Sequence, residues 1–226
     1  MGYLHTAIAF KNGGLQGIQA CQRDWTNYLV HFTCAEAMKA LKEYPTKKKA
    51  FPEELAKELD DADIKSFKKV KDIQKSMSLK ASSPSPENNI KACICFSECN
   101  LPGLLDHCER YGRFGFVFNK ETIFKLGGRP TVYIDRNMYA KMAKMYREAT
   151  DTEERNFFSL MNVFAPSGNG EIQDFTLERE WRLFSDLSLK ANVPTAIICP
   201  LKYYNEISLL FGSITIPIDL LAEWGL

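Results

Sequence analysis

The sequence predicts an α+β domain built on a mixed, largely antiparallel sheet, and three observations carry that expectation. Strand-like and helix-like stretches follow one another irregularly: strand and helices, then strand, helix, strand, strand, then helix and strands. A doubly wound parallel sheet would alternate the two regularly. No Gly-x-Gly-x-x-Gly opens a helix after a strand and no P-loop occurs, so the backbone cradles that nucleotide-binding α/β folds use for phosphate are missing. The composition, 45% hydrophobic and 25% charged over 226 residues, is that of a globular chain rather than a disordered one. The length allows one large domain or two small ones, and a single domain over 1–226 is the simpler expectation.

The charge balance narrows the partners. A net charge of +1 carries no basic surplus of the kind that advertises nucleic acid, although a local basic groove is compatible with it. The seven cysteines are an odd number, and residues 1–10 lack the basic stretch and apolar core of a secretory signal. No apolar run approaches the ~20 residues of a membrane span. The expectation is a cytoplasmic protein with free thiols and no membrane partner.

The elements follow in order. Asn12-Gly13-Gly14 marks a turn in a weakly patterned start. YLVHFT at 28–33 reads as a strand with Leu29, His31 and Thr33 on one face. Thr33 with Glu36 forms a T-x-x-E capping box for a helix over 35–44, which Tyr44-Pro45 stops. Residues 47–80 are rich in Lys, Glu and Asp, with Leu55, Leu59, Ile64, Phe67 and Val70 at rough helical spacing. They predict one or two amphipathic helices starting near Pro52. With the loop-like ASSPSPENN at 81–89, they make a charged helical insertion plus flexible loop over 47–89, outside the β core. Lys65, Lys68, Lys69 and Lys71 read as a solvated face, with a phosphate-contacting patch as the alternative.

IKACICF at 90–96 predicts a buried strand, and a helix over 101–111 starts near Pro102. RFGFVFN at 113–119 alternates Phe114, Phe116 and Phe118 on one strand face, and Gly127-Gly128 turns the chain into a strand over 130–134. The longest helix is expected over 137–163, with Met138, Met142, Met145 and Tyr146 as a core-packing stripe. A loop at 165–171, a strand over 174–185, a strand at 195–199, a helical turn near 203–210, a strand at 213–216 and a helix at 218–224 complete the chain.

DFTLEREWRLFS at 174–185 is the most unusual stretch. Strand alternation puts Glu178, Glu180 and Arg182 on one side and Arg179, Trp181 and Leu183 on the other. Two carboxylates two residues apart beside a Trp suit either a solvated edge strand or a cleft in which carboxylates do chemistry. His31, in apolar strand company, is either a satisfied core residue or a donor to a ligand. Ser97 either caps the following helix or serves a site. No G-x-S-x-G elbow surrounds it as a nucleophile would require. Cys93, Cys95, Cys99, His107 and Cys108 invite a zinc reading, but C-x-C-x3-C lacks the paired spacing of a structural site, so no metal is expected.

Five motifs bear a resemblance. LVHFT at 29–33, ICFSE at 94–98, YGRFGFVFNK at 111–120, RPTVYI at 129–134 and LEREWR at 177–182 occur in the order found in the AbiGi family of bacterial abortive-infection, phage-resistance proteins and in a related bacterial domain family of unknown function. They span 28–134 and 175–200 and leave 47–89 and the first ~25 residues uncovered. That signature in turn resembles the ADP-ribosyltransferase fold, which implies a split β core with peripheral helices. Carried over, the resemblance implies that His31 holds the nicotinamide ribose of NAD, with Thr33 also among the NAD-binding residues, that Ser97 supports the ribose or orients the Glu, and that Glu180 is the catalytic carboxylate preceded by Glu178. Tyr111 and Phe114 would stack on the nicotinamide ring. Breaking the nicotinamide–ribose bond builds positive charge on the sugar, which a fixed carboxylate stabilises without a metal. Ser97 is followed by Glu98 and Cys99 rather than by the Ser-Thr-Ser of many transferases, and His31 pairs with a Glu-x-Glu more typical of Arg-type enzymes.

Two functions follow from the resemblance. One is an NAD-dependent ADP-ribosyltransferase-like toxin in phage defence, modifying a protein, RNA or DNA acceptor and held by a cognate antitoxin or chaperone. The other is a non-catalytic antitoxin or regulatory binding protein that keeps the fold.

Overall fold

A computed structural model describes residues 9–11, 14–16, 26–33, 52–83, 91–166, 172–174 and 176–223. The expected helix over 35–44 and most of the loops at 81–89 and 165–171 lie outside these residues. In chain order the first elements are β1 (Ala9–Lys11), β2 (Gly14–Gln16), β3 (Tyr28–Phe32), α1 (Pro52–Ser76), β4 (Ser78–Leu79), β5 (Ile94–Ser97), α2 (Leu101–Tyr111), β6 (Gly115–Asn119), α3 (Lys120–Lys125) and β7 (Arg129–Pro130). Then come β8 (Val132–Ile134), α4 (Arg136–Glu148), α5 (Thr152–Ser159), β9 (Met161–Pro166), β10 (Ile172–Asp174), β11 (Glu180–Leu183), β12 (Leu187–Ser188), β13 (Ala196–Cys199), α6 (Tyr204–Phe211), β14 (Ile214–Pro217) and α7 (Ile218–Glu223).

This is an α+β fold on a mostly antiparallel open sheet. Seven strands run in the order β14-β13-β6-β3-β5-β11-β7, with β13 and β14 parallel and the other neighbours antiparallel. A three-stranded sheet, β10-β9-β8, stands apart; its parallel pair β8–β9 is connected through α4 and α5. Short pairs β1–β2 and β4–β12 complete the pattern.

Register sorts the side chains onto two faces. Leu29 opposes Phe118, His31 opposes Phe116, and Trp181 opposes Phe96, so these residues share one face. Phe67, Val70 and Ile73 of α1 and Ile207 of α6 cover it and form the main core. Val30, Val117, Ala196 and Ile198 point the other way, onto Leu104 and Cys108 of α2 and Ile218 and Leu221 of α7. Each fully buried Phe or Leu stabilises the fold by about 1.5–3 kcal/mol relative to exposure.

Several sequence expectations need correction. The charged segment was expected to lie outside the β core, yet α1 belongs to that core, because Phe67, Val70 and Ile73 recur every three residues and make a continuous stripe. Lys65, Lys68, Lys69 and Lys71 take its exposed side. Arg113 pairs with the buried Asp63 and with Asp219, tying α1 to α7. The long helix expected over 137–163 ends at Glu148, because Ala149 turns extended and Asp151 caps a second helix by accepting from Glu153 N at 2.7 Å and Glu154 N at 3.1 Å. Its methionine stripe is not core: Met138 and Met145 are 47% and 48% exposed, and α4 has no buried residue. The strand expected over 174–185 starts only at Glu180, after a 3-10 turn over Thr176–Glu178 and a left-handed Arg179 at φ 42. Asn100, not Ser97, caps α2, accepting from Gly103 N at 2.9 Å. The Gly127-Gly128 turn does need glycine: Gly127 has φ +96, and a Cβ on Gly128 would lie 2.4 Å from Ile123 Cγ2.

Candidate functional site

Glu180 opens β11, and β alternation puts its side chain on the same face as Arg182. Arg182 Nε donates to Glu180 Oε1 at 2.9 Å and Nη2 donates to Oε2 at 2.8 Å, a bidentate pair along one strand. Asn162 Nδ2 adds a bond to Oε2 at 3.2 Å. Glu180 is 7% exposed and Arg182 2%. Arg182 Nη1 reaches into the second sheet, donating to the carbonyls of Ser159 at 2.5 Å and Met161 at 3.3 Å. The backbone is held as well: Glu180 N donates to Tyr133 Oη at 3.0 Å, and Thr131 N donates to Glu180 O at 2.7 Å. Burial works against the guanidinium charge, but the hydrogen bonds and charge of Glu180 outweigh it, so Arg182 is held above its ordinary pKa. These residues clasp the main sheet to the three-stranded one.

Ser97 faces Glu180 directly across β5–β11 and Val30 across β3–β5, so Ser97 and Glu180 share a face. Glu178 lies before the strand, where Tyr111 Oη donates to its Oε1. Tyr111 stacks on Phe32 at 6.0 Å, and Phe32 stacks on His107 at 6.1 Å. Ser97, Glu178, Glu180 and Tyr111 are thus brought to the α2 side of the sheet.

His31 and Phe114 are not. His31 lies on the opposite face, edge-on to Phe96 at 5.9 Å. β3 and β5 share one residue pair, Val30 with Ser97, and beyond it His31 Nδ1 donates to the Cys95 carbonyl at 2.8 Å. Burial pushes the imidazole down to about 4; the Cys95 bond opposes the shift, and Lys69 on α1 adds to it. The ring is neutral at neutral pH. Phe114 is fully buried, stacked on Phe67 at 6.1 Å and 5.3 Å from the Tyr203 ring, so its ring is core packing where stacking on a ligand was expected. Thr33 is buried at the end of β3, where its N donates to the Phe114 carbonyl at 3.0 Å.

A second polar cluster escaped the sequence reading. Lys120, buried at the start of α3, pairs with Glu98 at 2.7 Å; Trp181 Nε1 donates to the other Glu98 oxygen at 3.1 Å, and the Lys120 ammonium sits 5.8 Å from the Trp181 ring centre. Glu98 and Lys120 close two of the motifs quoted above and Trp181 lies within a third, and that recurrence inside the motifs was the available signal. Among the described residues no group of three or more His, Cys, Asp and Glu is arranged to hold a metal ion. No disulfide joins Cys93, Cys95, Cys99, Cys108 and Cys199. Burial pushes the Cys99 and Cys199 thiols up to about 12, with Glu98 and Asp219 adding respectively. Among the described residues no helix is long and apolar enough to cross a membrane.

Comparison with protein-family models, with curated proteins and with solved structures gives no match to the chain.

Proposed function

We propose that the chain is a regulatory binding protein without transferase activity of its own, acting in a bacterial phage-defence or toxin–antitoxin system on an ADP-ribosyltransferase-like framework. The observation that carries this reading is the engagement of Glu180. A carboxylate that stabilises an oxocarbenium-like sugar must present an oxygen to it. Here Arg182 occupies both oxygens and Asn162 shares one. Placement adds support, because His31 stands on the far face of the sheet from Ser97 and Glu180. The motif order supports the family, and the partner class it implies is a cognate toxin.

The transferase reading, with NAD as substrate and a protein, RNA or DNA acceptor, is favoured by one observation. Ser97 and Glu180 are direct cross-strand neighbours on the side that also carries Tyr111 and Glu178. Incubating the purified protein with radiolabelled NAD and a cell lysate separates the two. The expected result is no transferred label, with Ser97→Ala matching wild type in a plaque assay. Label transfer that disappears in a folded Glu180→Gln variant would establish the transferase instead.

A further inference from the structure

Helices α4 and α5 form a hairpin joined by residues 149–151, and an open groove of about 630 Å³ runs between them. That volume falls within the ~300–1,000 Å³ of ligand sites. Met145, Phe157 and Phe158 give the groove its apolar surface, with Met145 48% and Phe157 55% exposed. Glu148, Glu153 and Glu154 give it three carboxylates.

Ordinary helix stability explains only part of this. Glu153 and Glu154 stand in the first turn of α5, where the helix dipole favours acids. Glu148 ends α4, where the dipole disfavours one, and its i,i+4 partner Lys144 is 4.0 Å away in the less favourable order. Nor does helix stability account for an exposed Met and Phe between the acids. Methionine repacks readily against differently shaped partners. The hairpin is also held in place, because Arg182 grips the Ser159 and Met161 carbonyls at its exit.

We infer that the α4–α5 groove docks a basic amphipathic helix of a partner protein. Apolar residues of that helix at i, i+3/i+4 and i+7 seat on Met145, Phe157 and Phe158, and its flanking Lys and Arg meet Glu148, Glu153 and Glu154. The acidic rim selects the sign of the partner and steers its approach. This rests on the reading of the chain as a binding protein and names the partner's chemistry.

The test uses a fluorescein-labelled 18-residue Leu/Lys amphipathic helix as probe, and a counterpart with Glu for every Lys. Anisotropy is expected to show saturable binding of the basic probe and binding at least ~10-fold weaker for the acidic one. Raising salt from ~50 to ~500 mM weakens the basic probe further. The Glu153→Lys/Glu154→Lys double variant and Phe157→Ala each weaken binding ~10-fold, while Leu209→Ser, at an exposed site away from the groove, leaves it unchanged. Circular dichroism confirms the fold of each variant. No saturable binding, equal binding of both probes, or indifference to the groove variants overturns the proposal. Self-association abolished by Met145→Glu would make the occupant a second copy, and groove-dependent binding to anionic phosphatidylglycerol vesicles would make it a membrane; either overturns it too. A chain that binds the probe yet transfers ADP-ribose refutes the non-catalytic reading and leaves the groove standing. An inert chain that binds no probe does the reverse.

Discussion

Glu180→Gln is the most informative single change, because the two readings of this carboxylate differ in free energy. If Glu180 is a structural clasp, removing its charge leaves a guanidinium that is 2% exposed without a counter-ion. Breaking a buried pair by removing one partner costs about 3–5 kcal/mol. The Ser159 and Met161 carbonyls still accept from Arg182, and the Gln amide oxygen keeps one acceptor, so the loss lies near ~3 kcal/mol. For a chain of this length that lowers Tm by ~6–12 °C. Arg182→Met strands the carboxylate and both carbonyls together and is expected to cost ~5 kcal/mol. The double variant buries no charge, so it is expected to be more stable than the sum of the singles by ~2–3 kcal/mol. Urea unfolding at neutral pH with two probes measures all three variants. A loss below ~1 kcal/mol for Glu180→Gln, or strict additivity in the double variant, refutes the clasp and returns the carboxylate to chemistry.

Three further outcomes are expected. His31 is held at about 4 against an ordinary 6.5, so the unfolded chain takes the proton first. Stability is full above pH 6.5 and falls towards pH 4, by at most ~3 kcal/mol, and His31→Gln should flatten that limb in urea unfolding; an unchanged slope removes His31 as its source. Phe67→Ala is expected to cost ~3–5 kcal/mol by equilibrium unfolding, since its ring stacks on Phe114 and Tyr203; a loss under ~1 kcal/mol means that α1 is dispensable to the core. Asp151→Ala removes the cap of α5 and is expected to cost ~0.5–2 kcal/mol with reduced helicity by circular dichroism; no change in either argues that the hairpin holds without its cap.

The legible parts of this chain are those where local chemistry decides. Pro52 and Pro102 mark the starts of α1 and α2, and the Phe114, Phe116 and Phe118 alternation identifies a buried strand. The break before β11 was hidden, because the left-handed residue is Arg179 and no glycine announces it. The methionine stripe of α4 was visible as a face, but periodicity says nothing about what covers a face. The grouping of the candidate site residues was hidden at a different level. Alternation placed Glu180 beside Arg182, but the grouping of His31 with Ser97 depended on register between strands about sixty residues apart. Val30, not His31, opposes Ser97, and a one-residue difference in register sends every side chain to the other face.

That parity also shows what these charged motif residues build within the sheet. Charged side chains at the heart of a sheet draw attention because burying a charge is costly. The same cost makes a fully bonded pair a device for fixing one arrangement: any slip of β11 against β9 would leave Arg182 buried without the Ser159 and Met161 carbonyls and Glu180 without Asn162. On the other face, a slip of β11 against β5 would part Trp181 from Glu98, the partner of Lys120. Two clasps on opposite faces of one strand fix β11 in both directions, and the α4–α5 hairpin leaves the sheet through Ser159 and Met161. The residues that resemble a catalytic pair therefore help to set the position of the groove, and on the binding reading proposed above a change at Glu180 would reach partner binding through Arg182 and the Ser159 and Met161 carbonyls.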